Sequence, residues 1–154
     1  MILSGDKMTY RELNQKANQL AKRLRTLGVG PNDFVAISGE RSMELIIGIY
    51  GILKAGGAYV PIDFSFPKER IQYILKDCSP KAVLLYQAEI NTDIPVIDLE
   101  KKRLWEEETS NLNKLHKPSD LVYCIYTSGT TGKPKGIMLT EFINKKTIGC
   151  ADRA

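Results

Sequence analysis

The residues best suited to chemistry lie in one short segment, where glycine, hydroxyl and lysine side chains follow one another. Residues 126–136 read YTSGTTGKPKG, directly after one apolar run and directly before another. Glycines let backbone amides approach a ligand closely, hydroxyls can donate to phosphoryl oxygens, and lysines offset negative charge. The segment therefore indicates a phosphate-binding loop, with a glycine-rich hairpin that binds nothing as the open alternative.

Two well-known loop patterns do not fit this segment. The Walker pattern places four residues between its first glycine and Gly-Lys, whereas Gly129 and Gly132 enclose two, and proline follows Lys133. A nucleophile elbow needs glycines two positions before and after its serine, but tyrosine and threonine stand there around Ser128. We therefore predict no catalytic nucleophile in this loop.

Apolar runs on both sides of the loop predict a strand before it and a strand after it. In that arrangement no helix begins at the loop, so no helix dipole contributes to phosphate binding. The donors must then be backbone amides, hydroxyl groups and lysine ammonium groups.

The elements that must position this loop follow an alternating pattern of helix and strand. Thr9 and Glu12 have the spacing of a capping box, and Gly28 is placed to end the helix that starts there. Some of the strands are apolar throughout, which is typical of a mostly parallel sheet covered by helices on both faces. We predict an α/β fold with strands over 34–38, 59–62, 82–86, 95–99 and 121–126 and helices over 9–28, 42–55 and 67–79.

Composition excludes several classes of protein. The 154 residues are 43% hydrophobic and 26% charged with a net charge of +4, and the basic residues are interspersed with acidic ones. No basic stripe for nucleic acid is present, and no apolar run approaches the roughly 20 residues of a membrane span. The N-terminus shows no export signal, so we expect a cytoplasmic protein without nucleic-acid or membrane partners.

Cysteine and histidine usage predicts no metal site. The cysteines Cys78, Cys124 and Cys150 are far apart, odd in number and outside any CxxC pair, which indicates reduced thiols. The single histidine, His116, we interpret as a solvated loop residue. It lies in the charged segment 100–118, the one candidate for a linker.

The sequence resembles a known family at three places. LVYCIYTSGTTGKPKG at 121–136 is similar to the phosphate-loop signature of adenylate-forming enzymes. MTYREL at 8–13 and LKAGGAYVPID at 53–63 are similar to two earlier signatures of amino-acid adenylation domains in nonribosomal peptide synthetases. The resemblance covers residues 1–139, as a partial N-terminal subdomain, and leaves 140–154 as a divergent or truncated tail.

The resemblance implies ATP-dependent activation of an amino acid. Its carboxylate attacks the α-phosphate of ATP, pyrophosphate leaves, and the aminoacyl group then passes to phosphopantetheine on a carrier protein. ATP with Mg²⁺ is the implied cofactor. Of the two lysines in the segment, Lys135 ranks above Lys133 as a phosphate ligand. The residues implied to border the β- and γ-phosphates are Thr127, Ser128, Gly129, Thr130, Thr131, Gly132 and Lys135.

The resemblance also implies parts of the family's site that have no matching motif here. The acid-binding, adenine-stacking, metal-binding and ribose-binding residues and a C-terminal lysine all belong to later signatures. We therefore expect no catalysis by this chain alone, and amino-acid binding only with the missing remainder of the domain. Two alternatives stay open: a non-catalytic half-domain that acts through association, and part of an acyl-CoA or aryl-acid ligase.

Overall fold

The structure, a computed structural model, describes residues 2–3, 6–106, 108–127 and 134–140. No helix in these ranges is both long enough and apolar enough to cross a membrane. The helices are α1 (Tyr10–Thr26), α2 (Met43–Ala55) and α3 (Lys68–Cys78). The strands are β1 (Ile2–Leu3), β2 (Asp6–Lys7), β3 (Phe34–Gly39), β4 (Ala58–Pro61), β5 (Ala82–Tyr86), β6 (Val96–Asp98), β7 (Leu121–Thr127) and β8 (Lys135–Thr140).

Within the described ranges the main sheet has six strands, in the order β6-β5-β3-β4-β7-β8. All neighbouring pairs are parallel except β7 and β8, which run antiparallel. The short strands β1 and β2 form a separate antiparallel hairpin. The mostly parallel sheet predicted from the sequence is confirmed, and the one antiparallel pair of the main sheet in the described residues is the pair that flanks the candidate phosphate loop.

Helices cover both faces of this sheet, as the apolar strands predict. Val35 and Ile37 of β3 are buried in a cluster with Leu24 of α1 and residues of α2. Ala36, which points the other way, is buried in a second cluster with Ile74 of α3. Because side chains alternate along a strand, an apolar strand of this kind needs a helix layer on each side.

Local signals set the helix ends where the sequence predicts them. The amide of Glu12 donates to Thr9 Oγ1 at 3.2 Å, and the amide of Thr9 donates to Glu12 Oε2 at 2.8 Å, so the capping box is formed. Gly28 and Gly56 follow α1 and α2 with left-handed φ angles of 82° and 104°. Pro67 stands one position before α3 rather than as its first helical residue.

The charged segment 100–118 lies on the surface, as predicted. It is hydrogen-bonded to α1 and is therefore not a free linker. Gln19 Nε2 donates to the carbonyl of Trp105 at 2.7 Å, and Asn18 Nδ2 donates to the carbonyl of Thr109 at 2.8 Å. Leu104 is buried in the core beside α1. The sequence did not predict this contact, because polar side chains of α1 bind backbone carbonyls 86 and 91 positions away and no local pattern marks such a pair.

The capping box gives a direct test of the first helix. Replacing Thr9→Ala leaves the amide of Glu12 without its side-chain acceptor, so we expect the free energy of unfolding to fall by about 1 kcal/mol. Urea unfolding followed by circular dichroism measures the change. Thr109→Ala, which removes an exposed threonine outside any helix, serves as the control. Equal stability of the two variants would contradict the capping assignment.

Candidate functional site

The candidate phosphate loop joins two paired strands at the carboxyl end of β7. Strands β7 and β8 pair in antiparallel register, with Thr127 opposite Lys135 as the last pair before the loop. The two strands predicted from the apolar flanks are therefore confirmed, and residues 128–133 between them lie outside the described residues. The carboxyl edge of a parallel sheet is also where ligands commonly bind in α/β folds.

Two of the seven predicted site residues, Thr127 and Lys135, lie in the described part of the chain. Both side chains are exposed, and since the residues are directly paired, both project from the same face of the hairpin. Neither side chain has a hydrogen-bonding partner among the described residues. The other predicted ligands lie outside the described residues: Ser128, Gly129, Thr130, Thr131 and Gly132.

A cavity of about 720 Å³ lies beside the base of the hairpin. Its walls come from the carboxyl ends of β3 and β4 and from Ile125 and Tyr126 of β7. The lining carries the cation of Arg41 and the carboxylates of Glu40 and Asp63. The buried hydroxyl of Ser38 has no hydrogen-bonding partner among the described residues. Motif reading did not select Arg41 or Ser38, because only the strand order shows that the end of β3 reaches this edge.

The opposite face of the hairpin packs against α3. The hydroxyl of Tyr126 donates to Asp77 Oδ2 at 2.5 Å, and Cys124 is buried in the same cluster as Cys78. Burial, together with the bond to Asp77, raises the pKa of Tyr126 far above its usual value, so the phenol stays a neutral donor. Burial raises the pKa of the Cys78 thiol to about 12, so this cysteine is not a nucleophile at neutral pH.

Gly136 permits β8 to lie directly on this packed face. A Cβ atom at Gly136 would stand 2.8 Å from Cys124 Sγ and 3.1 Å from Cζ of Tyr126. Such contacts are too close for a side chain, so any larger residue would push β8 away from β7. The glycine that follows Lys135 therefore has a packing role in addition to its place in the loop motif.

The two earlier signatures build the support of the hairpin. Residues 8–13 form the capped start of α1, and residues 53–63 form the end of α2 and strand β4. Strand β4 is the direct neighbour of β7, and the rings of Tyr59 and Tyr123 lie with centroids 5.6 Å apart across that pair. Burial raises the pKa of the Tyr59 phenol, so it too remains neutral. The second signature thus positions the strand that carries the loop.

His116 is half-buried and not a solvated loop residue, which corrects the interpretation made from the sequence. Its Nδ1 lies 3.2 Å from the carbonyl oxygen of Gly56. Because a carbonyl oxygen can only accept a hydrogen bond, Nδ1 is the protonated nitrogen and donates this bond. The two residues are 60 positions apart, and no local pattern marks the contact. Its buried Nε2 has no partner within the described ranges.

The described residues contain no group of three or more histidine, cysteine or acidic side chains that could hold a metal ion. No residue in this part of the chain is therefore assigned as a Mg²⁺ ligand.

Sequence comparison places the chain among known proteins. The family model of AMP-binding enzymes matches residues 1–143. Gramicidin S synthase 2 of Brevibacillus brevis is 52% identical over 143 residues, a match that covers 90% of this chain and 3% of that protein. Tyrocidine synthase 3 of Brevibacillus parabrevis is 51% identical over 147 residues, covering 90% of this chain and 2% of that protein.

Structural comparison gives the same result. FmoA3, a nonribosomal peptide synthetase, matches with a TM-score of 0.81 in its AMPPNP-bound form and 0.80 in its α-methyl-L-serine-AMP-bound form. Each match has 32% sequence identity and covers 90% of this chain, but only 15% and 16% of the respective FmoA3 chains. The chain thus spans a small part of these relatives. By family model, sequence identity and fold, it belongs to the AMP-binding enzymes and resembles the N-terminal part of a nonribosomal peptide synthetase adenylation domain.

Proposed function

We propose that the β7–β8 hairpin binds the β- and γ-phosphates of ATP during activation of an amino acid. The observation that carries this proposal is the pairing of Thr127 with Lys135 at the base of the loop. It puts a hydroxyl donor and an ammonium group side by side at the carboxyl edge of the sheet. The loop residues 128–132 would add backbone amides and three further hydroxyl groups. Relatives with bound AMPPNP and aminoacyl-AMP support this assignment.

The proposed role of the hairpin is electrostatic. When an amino-acid carboxylate attacks the α-phosphate, the bond to the leaving pyrophosphate breaks and negative charge grows on its oxygens. Donors that already point at those oxygens stabilise that charge better than water, which must first reorient. Lys135 supplies a full positive charge for this purpose, and Thr127 supplies a hydrogen bond. Mg²⁺ would arrive with the nucleotide and neutralise part of its charge.

The later steps are proposed for a complete adenylation domain only. There the aminoacyl-adenylate would react with the phosphopantetheine thiol of a carrier protein, and AMP would leave. In such a site the described ends of the hairpin would form part of the phosphate-binding side, next to the cavity beside it. We assign none of them to amino-acid selection or to the carrier protein.

Lys135 is the sharpest test of phosphate binding. We expect Lys135→Ala to weaken binding of MgATP to this chain by at least about tenfold, because it removes the positive charge that is paired with Thr127 at the base of the loop. Isothermal titration calorimetry measures the affinity. Lys81→Ala is the matched control, since Lys81 is exposed just before β5, at the amino end of a parallel strand and away from the loop. If both variants bind MgATP as the unchanged chain does, the phosphate assignment is wrong.

Catalysis gives a second test of the proposal. We expect residues 1–154 alone to show no amino-acid-dependent exchange of pyrophosphate into ATP, because the later signatures that the resemblance implies for acid binding, adenine stacking and metal binding have no matching motif in them. A complete adenylation domain from a relative, assayed in parallel with the same amino acids, controls for the assay. Robust exchange by the 154-residue chain would show that it holds a complete active site.

A second candidate function, association without catalysis, has one observation in its favour. Strand β8 is at the edge of the sheet and exposes Ile137 and Met138, at 51% and 56% of their surfaces. Unpaired edges with apolar side chains favour pairing with another chain.

Under this alternative we expect concentration-dependent self-association in analytical ultracentrifugation, reduced by Ile137→Lys. Val96→Lys provides the matched control, because Val96 is an exposed apolar residue on β6, the other edge strand. A monomer at all concentrations would remove self-association as a function of the β8 edge.

A further inference from the structure

The hydrogen bond between Tyr126 and Asp77 joins the hairpin to α3 immediately before the candidate phosphate loop. Tyr126 directly precedes Thr127, the last residue of β7, and its hydroxyl lies 2.5 Å from Asp77 Oδ2 in the last turn of α3. Because side chains alternate along a strand, Tyr126 points away from the face that carries Thr127 and Lys135. It therefore cannot serve as a phosphate ligand on that face, and the bond must act on the backbone of the strand.

The Tyr126 ring also sets the position of β8. Gly136 is the register partner of Tyr126, and it approaches the ring so closely that a Cβ atom would stand 3.1 Å from Cζ. Lys135 directly precedes Gly136 on the same strand. The Tyr126 side chain is thus hydrogen-bonded to α3 and packs against β8 at Gly136, next to Lys135. The position of the ring therefore affects both Thr127 on β7 and Lys135 on β8.

The chemistry of this bond makes it a suitable anchor. A phenol that donates to a carboxylate forms a short, charge-assisted hydrogen bond, which is stronger and more directional than a bond between neutral groups. Asp77 is exposed, so it can be replaced without opening the core. Beside it, Cys78 packs in the buried cluster of Cys124, which adds an apolar contact between the same helix and the same strand.

We propose that Asp77 and Tyr126 are positioning residues for the phosphate loop, which hold the end of β7 so that Thr127 and Lys135 face the nucleotide together. This inference rests on the proposed binding of ATP by the hairpin. Donors fixed before the ligand arrives lose less conformational freedom on binding, and their geometry does not have to be created by the ligand. Loss of the bond should therefore weaken phosphate binding although neither residue touches the nucleotide.

The experiment compares MgATP affinity across five variants of the full chain. We expect Tyr126→Phe and Asp77→Ala each to weaken binding by about tenfold, and the double variant to be no weaker than either alone, since both remove one bond. Asp77→Asn retains an acceptor oxygen and should recover most of the affinity. Tyr123→Phe is the matched control, because it makes the same change on the same strand, where Tyr123 stacks on Tyr59.

The outcomes separate this inference from the proposed function. If Tyr126→Phe and Asp77→Ala bind MgATP as Tyr123→Phe does while Lys135→Ala loses binding, the positioning role is wrong and the hairpin still binds phosphate. Additive losses in the double variant, or no recovery in Asp77→Asn, would also overturn it. If the unchanged chain binds no MgATP, both proposals fail. Asp77 is exposed, so urea unfolding can show that Asp77→Ala remains folded under the binding conditions. Weakened MgATP binding by the folded variant is then lost positioning and not lost folding.

Discussion

The antiparallel return of β8 onto β7 is the contact on which the candidate site depends. A parallel strand would leave the sheet through a long crossover, and the two ends of the glycine-rich segment would then lie far apart. Here only residues 128–134 separate the two strands, and the register places Lys135 opposite Thr127. Glycine at position 136 suits that register, because a Cβ atom there would stand 2.8 Å from Cys124 Sγ and 3.1 Å from Cζ of the Tyr126 ring, and one of these groups would have to shift. Packing of Gly136 against Tyr126 and Cys124 on one face of the hairpin thus sets the positions of Thr127 and Lys135 on the other face.

The parallel part of the sheet gives this hairpin a rigid base. Strand β4 lies between β3 and β7, and it is connected to α2 by the turn at Gly56. The motif AGGAYVPID is therefore the part of the sequence that brings the neighbouring strand to β7, although none of its side chains need touch a ligand. A sequence signature of an enzyme family can in this way have a structural role. A displaced β4 would displace its neighbour β7, the strand that precedes the loop.

Most of the secondary structure could be predicted from local patterns. The strand over 82–86 was predicted to the residue, and the helix starting after Thr9 follows from a capping box that involves only neighbouring residues. Contacts between distant residues could not be predicted. His116 and Gly56 are 60 positions apart, and Tyr126 and Asp77 are 49 apart. Each pair depends on how strands are ordered in the sheet, which periodicity does not specify. The loop motif identified candidate ligands, but not the helix that holds them.

Under the proposed function, the anchor behind the loop would matter because binding phosphate differs from accelerating the departure of pyrophosphate. Contacts that are equally strong before and during the reaction improve binding without lowering the barrier. A loop contributes to rate only where its donors fit the charge of the departing pyrophosphate better than the charge of bound ATP. That distinction requires donors that keep their place while the bond to the α-phosphate lengthens. The side chains of Thr127 and Lys135 have no competing partners among the described residues, and their strands are fixed by Tyr126 from behind. A hairpin held in this manner can favour the separated charge, whereas one free to follow the phosphate would stabilise both states alike.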